Sequence, residues 1–264
     1  GLGAATLLRL PGASNPMSAK LIERYGFDGV YVSGALISAE LGLGDIGLTT
    51  LTEVAAGARQ IVRVTRLPAL VDADIGFAGS MNAATAVQVL ESAGVAGLHI
   101  EDQVAARRPG IRGGREVMDA GIAVRRIKAA VAARQDPSFV IVARTGAAAA
   151  RGIDEAVDRA RAYADAGANL IFPAGMTNAA DFERIRGAVD VPIVADMAEF
   201  GPGRLLDART LRNLGINVVI YPLTLLRLAV HATAEGLTAL AKCGTQEALL
   251  DRMQLHRDLF DLLG

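Results

Sequence analysis

One pattern dominates this chain. Short apolar or β-branched runs alternate with amphipathic stretches bounded by Gly and Asp, from one end to the other. The runs at 6–10, 29–33, 69–72, 97–100, 139–143, 170–172, 193–195 and 218–221 read as strands. The stretches at 16–25, 52–64, 82–93, 120–133, 153–166, 179–187 and 207–214 read as helices. Each strand with its helix takes roughly 30 residues, the size of a βα unit. Near-continuous apolar strands such as VIVA (140–143) and NLIFP (169–173) suit a parallel sheet covered on both faces. The triplets AGV (93–95), AGA (166–168) and LGI (214–216) stand just before strands, where glycine ends the preceding helix in the left-handed conformation.

Eight such units predict an α/β fold, a (β/α)8 TIM barrel. The competitor, a doubly wound open sheet, would carry a Gly-rich phosphate loop after its first strand. No G-x-G-x-x-G or G-x-x-x-x-G-K-[ST] stands there. Residues 223–264 follow the eighth strand, mostly helical and longer than one barrel helix needs. The surplus helix is expected to pack on a neighbouring subunit. With no Pro- or Ser-rich linker, residues 1–264 read as one domain.

Charge and composition narrow the partners. The 264 residues carry 27 Lys+Arg against 28 Asp+Glu, a formal net charge of −1. That balance argues against a nucleic-acid binder, which shows a basic domain or stripe. Mean hydropathy is high at +0.34, but no apolar run reaches the ~18 residues of a spanning helix. No membrane is expected as a partner, and the apolar excess reads as a large buried core. The lone Cys243 excludes an internal disulfide and a Cys-based zinc site, and suits a reducing cytosol. A cytoplasmic location is expected. No secretory leader is visible, although the chain opens on Gly1.

Barrel enzymes place catalytic groups at the C-terminal ends of their strands. The third strand ends Val71-Asp72-Ala73-Asp74-Ile75-Gly76. Residues two apart on an extended chain project to one side, so Asp72 and Asp74 can face one spot. The fourth ends His99-Ile100-Glu101-Asp102-Gln103 and adds Glu101. Hard oxygens converging with room for water describe a Mg²⁺ site, with Mn²⁺ as the alternative. Each acid alone could equally cap the helix that follows. The fifth strand ends in Arg144, which offers a bidentate clamp for a carboxylate or phosphate, or a salt bridge to a neighbouring acid. His99, read as out of phase with Glu101, is as readily a satisfied core histidine as a ligand. His231, His256 and Cys243 stand in the C-terminal helical stretch and are expected to be structural or solvent-facing. No H-E-x-x-H, G-x-S-x-G or C-x-x-C appears.

Several motifs taken together are similar to the isocitrate lyase/phosphoenolpyruvate mutase superfamily, and closest to its 2-methylisocitrate lyase branch. They are Y-V-S-G (31–34), L-G-L-G-D-I-G (41–47), V-D-A-D-I-G-F (71–77), G-L-H-I-E-D-Q-V (97–104), V-I-V-A-R-T (140–145), I-F-P-A-G-M (171–176), A-E-F-G (198–201), Y-P-L (221–223) and G-T-Q (244–246). The resemblance implies a barrel whose last helix is swapped between subunits in a homotetramer, a dimer of dimers. It implies Mg²⁺ and a small 2-oxo or 2-hydroxy carboxylate substrate. By motif match, Asp72, Asp74 and Glu101 would hold the metal, some directly and some through water, with Asp45 supporting them. Ser33 and Gly34 would bind the substrate carboxylate through the backbone. Arg144 would bind substrate and stabilise developing negative charge, and Tyr31 would stand near the scissile bond.

The chain departs from the lyase pattern in a cluster. Lyases carry K-K/R-C-G-H after the E-D-Q strand end, whereas this chain reads Arg107-Arg108-Pro109-Gly110-Ile111. Neither Pro109 nor Ile111 can donate a side-chain proton. Gly146, Ala174 and Asp196 stand where lyases carry Asp, Glu and commonly Asn. The Arg- and Gly-rich stretch through Arg115 could form an anion-attracting gate or an ordinary solvated loop. The expectation is a Mg²⁺-dependent lyase of the methylisocitrate lyase type with altered specificity. The alternatives are a phosphonomutase of the carboxyphosphonoenolpyruvate mutase kind, an oxaloacetate decarboxylase, and a non-catalytic paralogue.

Overall fold

The computed structural model describes residues 6–77, 80–104, 116–201 and 203–264. Its elements run β1 (Leu8–Pro11), α1 (Pro16–Arg24), β2 (Val30–Val32), α2 (Gly34–Glu40), α3 (Leu51–Val62), β3 (Ala69–Asp72), α4 (Ser80–Ser92), β4 (Gly97–Glu101), α5 (Ala120–Ala133), β5 (Val140–Thr145), α6 (Ala147–Arg151), α7 (Ile153–Asp165), β6 (Leu170–Pro173), α8 (Ala179–Arg186), β7 (Val194–Asp196), α9 (Ala208–Asn213), β8 (Val218–Tyr221), α10 (Thr224–Cys243) and, after a short 3₁₀ turn over Glu247–Arg252, α11 (His256–Leu263).

Pairing between these strands is parallel throughout, and one isolated antiparallel bridge links Gln103 to Val117. The ladders form one sheet in the order β2-β3-β4-β5-β6 and another in the order β1-β8-β7. Single bridges, Gly12 to Tyr31 and Ile171 to Ile193, join the two sheets at both margins and close the barrel. Leu10, Tyr31, Leu70, Val142, Leu170, Phe172, Val194, Val218 and Ile220 fill the interior. Two larger apolar clusters lie between strands and helices. One is built around Val71, Leu90, Leu98 and Ile141, the other around Ala143, Tyr163, Ile171, Ile185 and Val219. Removing this apolar area from water at about 25 cal/mol per Å² is what drives the layers together.

Local signals explain the boundaries. Asn15 and Ser18 form a reciprocal capping box at α1, as do Thr50 and Glu53 at α3. Asp119, Asn178 and Asp207 cap α5, α8 and α9. Each cap satisfies a backbone N–H that the first helical turn leaves without a partner. The expected left-handed glycines before strands are present, with φ of 90° at Gly94, 97° at Gly167 and 72° at Gly215. The sequence pattern missed α2 and α6, because five to seven residues cannot display a helical period. It also started β1 two residues early.

Gly12 stands where β1 leaves β8 for β2. A Cβ there would collide with the Pro222 carbonyl and lie 2.9 Å from Leu36 Cδ1. Gly12→Ala is expected to cost about 1–3 kcal/mol through overpacking at the barrel seam. Urea unfolding measures it, and an unchanged midpoint would show that the seam yields.

The C-terminal segment is helical, as expected. Helix α10 has no buried residue over its 20 residues, and Leu228, Val230, Leu237 and Leu240 on it are exposed. Helix α11 returns to the barrel, burying Leu262, and Lys20 Nζ on α1 donates to the Leu263 carbonyl at 3.4 Å. No helix of the described residues is long and apolar enough to cross a membrane.

Candidate active site

The C-terminal strand ends converge at one mouth. Tyr31 comes from β2, Asp72 from β3, His99 and Glu101 from β4, Arg144 from β5, Phe172 from β6 and Asp196 from β7. His99 is fully buried. It stands two residues before Glu101, so the pair is in phase and shares the inner face of β4, correcting the out-of-phase reading. Tyr31 Oη and His99 Nε2 are 2.7 Å apart, and the two rings stack with an interplanar angle of 13°. His99 Nδ1 lies 3.5 Å from Asp72 Oδ1, and the edge of Phe172 meets the imidazole in a T-shaped contact. A Tyr–His–Asp chain therefore runs across the interior from β2 to β3.

Asp72 and Asp74 do come together, by a different route from simple strand alternation. The strand stops at Asp72. Asp74 turns to φ 46°, a left-handed conformation that Asp tolerates better than most residues. Its N–H donates to Asp72 Oδ1 at 2.9 Å. Its carbonyl accepts the Glu101 N–H at 2.7 Å, and the Ala73 carbonyl accepts Gly76 N–H at 2.8 Å. Both carboxylates front Gly34, since a Cβ there would lie 3.7 Å from Asp72 Oδ2 and 3.7 Å from Asp74 Oδ2. The missing side chain keeps that space open. Ser33 is buried and precedes α2 without a side-chain capping bond, so Ser33 and Gly34 present the backbone of the first helical turn at the mouth. Asp45 lies half-buried in the segment between α2 and α3.

Arg144 is buried between acids. Its Nη1 is 3.8 Å from Asp72 Oδ2 and its Nε 3.6 Å from Glu101 Oε2, while the guanidinium lies 4.8 Å from the Phe172 ring centre. Burial pulls its pKa down, but the fields of Glu101, Asp72, Tyr31 and Asp196 outweigh that and raise it. It is a fixed cation at every working pH. Because Glu101 faces Arg144, it does not join Asp72 and Asp74 in a tight three-acid cluster. Among the described residues no group of three His, Cys, Asp or Glu stands ready to hold an ion by itself. Glu101 Oε1 is buried with no hydrogen-bond partner, and it faces the space beside Gly146, where a Cβ would lie 3.6 Å away. The donor set is thus a carboxylate pair with a third acid at one side. That suits Mg²⁺, which keeps several waters and takes one or two protein carboxylates.

Beneath the mouth lies a network the sequence pattern did not reveal. Asp102 points away from the interior, toward α7. Its Oδ2 accepts from Thr145 Oγ1 at 2.7 Å, Tyr163 Oη at 2.7 Å and Arg159 Nη1 at 3.1 Å, and its Oδ1 accepts Gly146 N–H at 2.9 Å. Arg159 also donates to Glu155 and to the Met118 carbonyl, both at 2.8 Å. Burial pushes the Tyr163 phenol up, and Asp102 adds to the rise, so it stays a proton donor. The network fixes the turn that follows Arg144. Residues 107–115, with Pro109 and Ile111, lie outside the described residues. Ala174 is buried at the end of β6, and Cys243 is exposed at the end of α10. His231 and His256 are exposed on α10 and α11.

Comparison with known proteins bears on what this mouth does. Residues 2–241 match the family model for phosphoenolpyruvate phosphomutase. A probable 2-methylisocitrate lyase 2 of Corynebacterium glutamicum is 54% identical over 262 residues, covering 99% of this chain and 85% of that protein. The crystal structure of 2,3-dimethylmalate lyase, a PEP mutase/isocitrate lyase superfamily member, superposes with a TM-score of 0.90 at 32% identity, covering 99% of this chain and 88% of that one. Phosphonopyruvate hydrolase in complex with oxalate and Mg²⁺ superposes at 0.89 with 27% identity, covering 100% and 92%. By sequence and by barrel geometry alike, the chain belongs to the phosphoenolpyruvate phosphomutase family of the PEP mutase/isocitrate lyase superfamily.

Proposed function

We propose that this protein is a Mg²⁺-dependent carbon–carbon lyase of the 2-methylisocitrate lyase type, acting on a small 2-hydroxy carboxylate. The observation that carries this reading is the convergence of Tyr31, His99, Asp72, Asp74, Glu101 and Arg144 at one barrel mouth. It sits in a chain 54% identical to a probable lyase. In retro-aldol cleavage a base takes the substrate hydroxyl proton, the C–C bond breaks, a 2-oxo acid leaves, and the second product departs as an enolate-like carboxylate that must be protonated.

Each residue has a part. Tyr31 Oη exchanges a proton with His99 Nε2, and Asp72 steadies the resulting imidazolium, so the phenolate oxygen serves as the base. Ser33 and Gly34 hold the substrate carboxylate on backbone N–H groups. Arg144 offsets charge where the oxyanion develops, in a site with little water to screen it. Asp72, Asp74 and Glu101, with Asp45 in support, would hold Mg²⁺, which supplies Lewis-acid stabilisation when bound.

The test is Mg²⁺-dependent release of 2-oxo acid from methylisocitrate, isocitrate and related hydroxy acids, with oxaloacetate decarboxylation in parallel. Turnover of none of the hydroxy acids would overturn the lyase reading. CO₂ release from oxaloacetate alone would favour the decarboxylase or phosphonomutase alternative. That alternative draws on one observation: Pro109 and Ile111 supply no acid where lyases protonate their product. Arg144→Lys is expected to lower kcat by about 10²-fold, because a point charge cannot reproduce the planar fork between two acids. Near-normal kcat in that variant would remove Arg144 from the catalytic set.

Residues 1–264 form a single barrel domain with 223–264 as its helical extension. The bare apolar face of α10 supports exchange of this helix between subunits of a homotetramer, which light scattering tests directly. A free, exposed Cys243 suits a cytoplasmic location.

A further inference from the structure

Arg126 takes no part in the chemistry above, yet it is a buried cation near the mouth. It lies on α5 and is 8% exposed. Its Nε has no hydrogen-bond partner, and burial alone lowers its pKa, with no acid contributing. Residues 1–5, 78–79, 105–115 and 202, the ones not described, contain no Asp or Glu. Glu101 and Asp102 line the same small cavity, but no described carboxylate forms an ion pair with Arg126. A buried charge left unpaired costs several kcal/mol, and an apolar side chain would fill the same core more cheaply.

What Arg126 does make is one short contact, from Nη1 to the carbonyl of Ile75 at 2.5 Å. Ile75 follows Asp74 in the left-handed turn between β3 and α4. Other bonds of that turn among the described residues are local or come from β4, such as Asp74 N–H to Asp72, Gly76 N–H to Ala73, Ala73 N–H to the His99 carbonyl and Glu101 N–H to Asp74. The Arg126 bond reaches the turn from the helix layer. A charge-assisted bond is roughly twice as strong as a neutral one, enough to hold a strained non-glycine conformation that costs about 1–2 kcal/mol.

We propose that Arg126 is a positioning residue, whose hydrogen bond to the Ile75 carbonyl locks the Asp72–Gly76 turn so that both carboxylates front Gly34. The inference rests on the metal-binding role of Asp72 and Asp74. It predicts an effect on ion affinity transmitted from outside the mouth.

Two readouts on the full chain test it. One is Mn²⁺ titration of the resting protein by electron paramagnetic resonance, and the other is amide exchange of residues 71–77 in metal-free protein. In R126M, Mn²⁺ affinity is expected to fall by about 10-fold or more. Exchange in the turn is expected to rise about 10-fold while the other strands keep their protection. R126K retains a charged donor and is expected to recover most of both. Wild-type affinity and exchange in R126M would overturn the proposal, as would protection lost equally throughout the barrel. If R126M does not fold, R126Q, which keeps a neutral donor, is judged by the same two readouts. Wild-type protein that binds no Mn²⁺ would remove the metal reading, and the exchange comparison would still decide whether Arg126 holds the turn.

Discussion

Cleavage of methylisocitrate is expected to fall below detection in an Asp74→Ala variant, and to drop by about 10²–10³-fold in Asp74→Asn. The two substitutions separate backbone from charge. Asp74 sits at φ 46°, where alanine is strained and asparagine is at home. Asp74→Asn therefore keeps the turn and removes only the negative charge that, with Asp72, faces the open space at Gly34. Both variants should fold, because Asp74 is only half-buried. The check is Mg²⁺-dependent 2-oxo acid release beside a thermal melt. Wild-type turnover in Asp74→Asn would end the metal assignment.

The largest stability effect belongs to Asp102. Asp102→Ala removes four hydrogen bonds and strands Arg159, which is 2% exposed, without its innermost acid. Breaking a buried pair from one side costs about 3–5 kcal/mol. For a chain of this size that lowers the melting temperature by roughly 10 °C. Activity should fall as well, since Asp102 Oδ1 fixes the Gly146 N–H two residues after Arg144. A melt within about 2 °C of wild type, on the same size scaling, would mean that Glu155 and Tyr163 suffice to hold Arg159.

The contrast between Asp74 and Asp102 shows what the linear sequence discloses. Asp74 was legible because an acid at a strand end needs only the strand to be recognised. The strands were recognisable because parallel barrel strands, covered on both faces, read as apolar runs. The αL glycines were legible for the same local reason. Asp102 was not, because its partners Arg159 and Tyr163 stand 57 and 61 residues away. Only closure of β4 against β5 and α7 brings them together. Arg126 and Ile75 are 51 apart and equally silent. His99 was within reach: a count of two from Glu101 puts both on one face. Helices α2 and α6 fall short of the two turns that a periodic pattern needs.

The barrel closes as two sheets joined by two single bridges, and this divides the labour within the molecule. Tyr31, Asp72, His99, Glu101 and Arg144 all belong to the five-stranded β2–β6 sheet; Tyr31 stands at the margin joined to Gly12, and the other four lie inside the margins. Thermal breathing concentrates where backbone pairing is sparsest, so it falls at those margins first. The reacting groups ride on one continuous hydrogen-bonded plate, and the β1-β8-β7 segment can flex as a separate stave. Any widening at those seams would leave the distances among Asp72, Glu101 and Arg144 set, since all three stand on adjoining strands of one sheet.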